Sequence, residues 1–156
     1  MQMMAEYKQE DMTTEQIVLM DFFQTVRDLS KGVHNAENLI SIRIAHLLKS
    51  FPYASEVKSQ IINGEIILVD ADEKIKDIIG YDPIEIIGKP LTFIETGEAP
   101  ASKRGKIFED LHKYGVSVKQ NINKCKDGSS VETFGWLFKV APNNYREVVM
   151  KKEHLR

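Results

Sequence analysis

From Leu19 the apolar residues of the first third of the chain step by three and four: Leu19, Phe22, Val26, Leu29, Val33, Ala36, Ile40 and, past Arg43, Leu47. This is the seam of an amphipathic helix, sustained for about four heptads. Thr13-Thr14-Glu15-Gln16 places a threonine three residues before a glutamine, the capping box that satisfies the first free amides of a helix. The seam ends at Phe51-Pro52, because a residue before proline is pushed out of helical backbone angles. Gly32 costs about 0.8 to 1 kcal/mol inside a helix, so the segment reads as one long helix bent there or as a helical hairpin. Unbroken from about Thr14 to Ser50, it would extend about 55 Å at 1.5 Å per residue. A small domain cannot cover that length, so part of the stripe must meet another surface. Pairing of two such helices in a homodimer is the expected solution, with packing back on the second half of the chain as the other.

After Pro52 the period changes. YASEVKSQ, residues 53–60, reads as a polar connection or a last helical piece. The β-branched run Ile66 to Val69, flanked by turn formers, predicts a strand. Asp82-Pro83 opens a short helical turn that Gly88 closes. Ile107, Leu111 and Tyr114 share one face of a helix over Ser102 to Tyr114 that stops at Gly115. Val116, Val118 and Ile122 then line one face of a strand, Asp127-Gly128 is a hairpin turn, and Phe134, Trp136, Phe138 and Val140 alternate along a second strand. A turn at Pro142-Asn143-Asn144 leads to a third strand, Tyr145 to Lys152. The plan is α+β: an antiparallel sheet with flanking short helices, preceded by the long N-terminal helix or helical hairpin. It divides into a frayed or disordered N-terminus at 1–12, a helical dimerisation segment at 13–60 and a sheet domain at 61–156.

Charge narrows the partners. The 21 basic and 23 acidic residues leave a formal charge of -2, which provides no field to gather nucleic acid or an anionic membrane. No apolar run approaches the roughly 18 to 20 residues of a membrane span, so no membrane insertion is expected. MQMMAEYKQEDMTTE lacks the basic flank and apolar stretch of a secretory signal. Cys125 is the only cysteine, in keeping with a reducing compartment, and a cytoplasmic location is expected. There is no phosphate loop, C-x-x-C pair, H-E-x-x-H or nucleophile elbow, so the reading is non-catalytic and without a metal.

The aromatic row Phe134, Trp136 and Phe138 must look inward or at a partner, since each ring carries a large apolar area. Core packing, a partner surface and the lining of a ligand pocket all remain open for it. Lys103, Arg104 and Lys106 read as a solvated helix start, and His46 and His154 as having no identifiable partner.

GEIILVD, GYDPIEIIGKPLTFI, CKDGSSVETFGWLF and REVVMKK, in that order, resemble a PAS domain, the sensory module of signalling proteins, over about Ile61 to His154. The resemblance implies a sensor or regulator that binds a small ligand or a protein partner, such as a kinase. The stretch from Ile66 to Tyr81 is short for the two strands the family places there, which implies a trimmed or irregular first hairpin. Haem is disfavoured, because His112 has no supporting pattern around it. Flavin is disfavoured too, because light-sensing relatives set their cysteine in a helix beside an asparagine and an arginine, whereas Cys125 abuts a hairpin turn.

LSKGVHNAENLISIRIAHLL is similar to the dimerisation and phosphoacceptor helix of sensor histidine kinases. That similarity implies an alternative: a phosphotransfer protein or kinase remnant with His34 as phosphoacceptor and Asn38 orienting a hydrolytic water. The chain departs from the pattern by a missing residue between Gly32 and His34, by Asn35 in place of an acid and by Glu37 in place of an asparagine. No glycine-rich nucleotide lid follows.

Overall fold

A computed structural model describes residues 36–95 and 109–155, together with the helical positions Gln24 and Arg27. Helix α1 (Ala36–Ser50) buries Ile40, Ile44 and Leu47, a four-three step that turns one stripe toward the sheet. Ile44 takes the place at which the heptad reading met Arg43. Over its described length, therefore, the helix packs on the chain's own second half. Leu19 to Val33 of the seam lie outside the described residues.

Strand β1 (Ser55–Ile62) pairs with β2 (Glu65–Ala71) in an antiparallel hairpin around Asn63-Gly64. Both turn residues have positive φ, 51° and 80°, the geometry for which an Asn-Gly pair is suited. This corrects the reading of residues 53–60 as a connection or helix end, and of a dimerisation segment helical to residue 60. The strand was hidden because Val57 is the lone apolar residue between Ser55 and Ser59 on its inward side, too little to mark a face. The first hairpin is not trimmed, though it is irregular, with its register shifting between Lys58 and Ser59; its first strand lies earlier in the chain, ahead of Asn63-Gly64.

Two short helices follow, α2 (Ile75–Ile79) and α3 (Pro83–Ile86), then a 3-10 turn at Leu91–Phe93. The Glu85 carboxylate accepts the Asp82 amide at 2.8 Å across the first turn of α3. Helix α4 ends over residues 109–114 at Gly115, whose φ of 76° a residue with a side chain would resist. Strands β3 (Val116–Lys124), β4 (Ser130–Ala141) and β5 (Asn144–Lys151) complete an antiparallel sheet of order β2-β1-β5-β4-β3. Gly128, with φ 87°, makes the β3–β4 turn, and Pro142-Asn143 the next.

Each face of the sheet has its own core. On one, Phe134, Trp136 and Phe138 of β4, Val148 and Met150 of β5 and Val116 of β3 pack with Ile40, Ile44 and Leu47 of α1. On the other, Val57 and Val149 meet Leu68 and the isoleucines of the short helices, Ile75, Ile78, Ile79 and Ile86. Strand alternation sends successive residues of β4 and β5 to opposite sides, so neighbours in sequence serve different cores.

Candidate functional site

On the short-helix side the sheet and its covering segments leave a cavity of about 720 Å³. Its walls include Val57, Ile66, Leu68, Leu91, Leu111 and Leu137, with the Tyr145 ring, so most of its surface is apolar. A volume of this order fits the usual range for small-molecule sites, about 300 to 1,000 Å³.

One polar constellation interrupts that wall. Lys119 Nζ of β3 donates to Glu95 Oε1 at 2.9 Å and lies 3.0 Å from Glu147 Oε2 of β5. The second contact is an ion pair off the line of a hydrogen bond, and Oε2 is buried without a directed donor. Side-chain exposure is only 11% for Lys119, 13% for Glu147 and 22% for Glu95. Glycine makes this reach possible. Lys119 pairs with Gly135 on β4, and the Glu147 side chain crosses the bare backbone of Gly135 to arrive at the ammonium.

Glu95 is held by its neighbours. The Lys124 amide and Asn123 Nδ2 both donate to the Ile94 carbonyl at 2.9 Å, and Thr133 Oγ1 donates to Asn123 Oδ1. Glu95 thereby forms a bridge to β3 beside Asn123. These partners fix a segment that would otherwise hang from the 3-10 turn.

Burial works against the Lys119 charge, but attraction to Glu147 and Glu95, with the hydrogen bond that Lys119 donates to Glu95, outweighs it and holds its pKa well above the ordinary lysine value. Glu147 moves the other way for a member of an ion pair. Burial raises its pKa, Lys119 offsets this in part, and Glu95 raises it again. The two directions conflict if the contact is taken as a simple pair. They agree for one ammonium serving two carboxylates: the lysine stays charged, and Glu147 carries the uncompensated share.

The sequence-predicted residues fall elsewhere. Phe134, Trp136 and Phe138 are buried beneath α1, on the face opposite the cavity, with Phe51 stacked on Trp136 at 5.3 Å between centroids. None of the three lines the cavity. Asn38 is exposed on α1, and His34 lies outside the described residues, as do Lys103, Arg104 and Lys106. His46 and His112 are exposed, while His154 rests against the Tyr53 ring at 4.5 Å. Cys125 sits on the β3–β4 connection with Sγ 3.9 Å from the Ile78 carbonyl. Among the described residues no group of histidine, cysteine and carboxylate side chains is placed to hold a metal. No helix among them is long and apolar enough to cross a membrane.

Sequence reasoning missed Glu95, Lys119, Gly135 and Glu147. The available signal was the polar alternation Lys119, Asn121, Asn123 on β3 facing a glycine across the hairpin. A polar strand face ordinarily means solvent.

No family model matches the sequence, and no curated protein matches it. Solved structures do match. An RNA-binding light-oxygen-voltage receptor is 14% identical with a TM-score of 0.55, over 71% of this chain and 35% of that one. A PAS domain of a protein from Colwellia psychrerythraea is 14% identical with a TM-score of 0.53, over 69% of this chain and 95% of that one. A PAS domain in complex with ethanol, from a transcriptional regulator in the LuxR family of Burkholderia thailandensis, is 14% identical with a TM-score of 0.53, over 63% of this chain and 88% of that one. This chain thus spans about a third of the length of the first of these proteins.

Proposed function

We propose that this chain, which has the PAS fold, is a non-catalytic sensory or regulatory module that takes a small ligand into the cavity on the inner face of its sheet. The observation that carries this is the cavity itself: about 720 Å³, apolar over most of its wall, with one buried ionic cluster. Apolar walls with a few placed polar groups are the composition of a recognition site. Ethanol in the regulator from Burkholderia thailandensis is a precedent for a small molecule in this fold.

A ligand there would act on α1 through the sheet. Arg146 of β5 bonds Glu56 Oε2 of β1 and donates to Ser41 Oγ of α1 at 2.8 Å, while its neighbours Tyr145 and Glu147 line the cavity. We also read the N-terminal helical segment as the dimerisation element and the cytoplasm as its setting, with a signalling protein such as a kinase as partner. Nothing among the described residues favours the alternative of phosphate acceptance at His34, which lies outside them.

The cofactor reading stays with a colourless ligand. A thiol adduct with a flavin does not fit, because the one cysteine of the chain stands on the β3–β4 connection and not on the cavity wall. Amide NMR of labelled protein against a small-fragment library tests the function. Shifts clustered on Leu68, Leu137 and Tyr145 are expected, and their absence for every fragment would overturn it. The absorption spectrum and native mass of the purified protein test the cofactor and dimer readings, which a flavin or haem spectrum or a monomeric mass at tens of micromolar would sink.

A further inference from the structure

We propose that the cavity selects a ligand with an apolar body and a single cationic, hydrogen-bond-donating head, which completes the charge of the Glu95–Lys119–Glu147 cluster. This rests on the reading of the cavity as a ligand site and adds the chemical class.

The argument is one of charge count and access. A Glu95–Lys119 pair alone would be neutral. Glu147 adds a second carboxylate to the same ammonium, and among the described residues the charged groups that line the cavity are Glu65, Glu95, Glu147 and Lys119. Glu65 is exposed, so away from open solvent two acids face one base. Arg146, the next cation along β5, is turned to the other face, where Glu56 and Ser41 occupy it. A carboxylate out of water demands a counter-charge or a proton, and the cluster supplies less than one ammonium for each.

The excess is built in. A side chain on Gly135 would stand 2.7 Å from Glu147 Oε2, so glycine at this one position of β4 admits the second acid to Lys119. An anionic ligand would meet two fixed carboxylates whose only cation among the described residues is already engaged. A neutral ligand would gain the apolar walls alone. An ammonium gains both, because hydrogen bonds to ionised acceptors are roughly twice as strong as neutral ones.

Phenylbutylamine, phenylbutanol and phenylbutyrate share one body and differ in the head, and they serve as probes near neutral pH. Titration of the full chain by amide NMR is expected to place all three sets of shifts on the cavity, with the amine bound at least about tenfold more tightly than the alcohol and the acid weakest. Glu147→Gln, which keeps the shape and removes the charge, should reduce the amine's advantage over the alcohol to about threefold or less. Glu95→Gln should do the same, and serves if the first variant does not fold. If the alcohol or the acid binds as well as the amine in the unaltered protein, the charge inference is overturned while the ligand-binding reading stands. If none of the three shifts the cavity residues, both fail.

Discussion

The Glu147 carboxylate occupies the space that a side chain on Gly135 would need, with Oε2 2.7 Å from the position of a Cβ there. Gly135→Ala should therefore destabilise the protein by about 1 to 3 kcal/mol, as overpacking does. The sign should reverse where the obstacle is gone. In a Glu147→Ala background the same substitution should be neutral or stabilising, since glycine inside a strand is otherwise about 0.5 to 1 kcal/mol worse than alanine. Urea unfolding of the four proteins gives the coupling directly, and additive effects would show that the contact does not matter.

Lys119→Met removes the only ammonium that the described residues bring to Glu147 and the half-buried Glu95. A loss of about 3 to 5 kcal/mol is expected, the range for breaking a buried ion pair from one side. Adding Glu95→Gln and Glu147→Gln to the same chain should recover most of it, because the amides need no counter-charge. A triple variant as unstable as the single one would place the damage in packing instead.

The cluster gives stability a pH dependence at both ends. The Glu147 pKa lies above its ordinary 4.5, chiefly through burial. Between that value and the raised one the folded chain holds more protons than the unfolded, so stability falls as pH rises through this window. Lys119 acts on the alkaline side: its contribution is complete below the ordinary 10.5 and is lost as pH climbs above it through the raised value. Glu147→Gln should flatten the first decline and leave the second. Thermal midpoints across the two windows measure this, and an unchanged acid-side slope would assign the proton to another group.

Helix α1 should be separable from the sheet by small changes. Arg146→Met removes the link between Ser41 and Glu56 and should cost about 1 to 3 kcal/mol. Leu47→Ala, at a fully buried position, should cost about 2 to 5 kcal/mol. Trp136 lies beneath α1 and reports on its seat, so both variants should shift its emission to the red at lower urea than the unaltered protein needs. Emission that moves only with global unfolding would mean the helix does not loosen by itself.

Much of the sheet was legible in order of residues because its signals are local. Asp127-Gly128, the alternation of Phe134 to Val140 and the stop at Gly115 each act through near neighbours, and each element stands where it was expected. Strand β1 was poorly legible from its own residues, since Ser55 and Ser59 leave Val57 as a lone apolar mark on that stretch of its inward face; Asn63-Gly64 is the clearer signal. The site was less legible still. Lys119 and Glu147 look like solvent-facing residues of strands, and what makes them interior is the cover of segments far off in sequence, from Ile75 to Glu95. Gly135 gains its meaning only from the diagonal neighbour that crosses it. The row Phe134, Trp136 and Phe138 is core beneath α1 and not a wall of the cavity, a choice that alternation alone could not make, because it cannot say which of two faces the long helix takes.

Because β5 sends Arg146 to the helix and Glu147 to the cavity, the parity of the strand is itself a heritable constraint. An insertion or deletion of one residue before Tyr145 would turn the acid beneath α1 and thrust apolar Val148 and Met150 into the cavity, whereas a change of two would leave every side chain on its own side. Length variation in this strand should therefore survive descent only in even steps, and lineages that keep the Gly135 gap should keep the count of β5 with it.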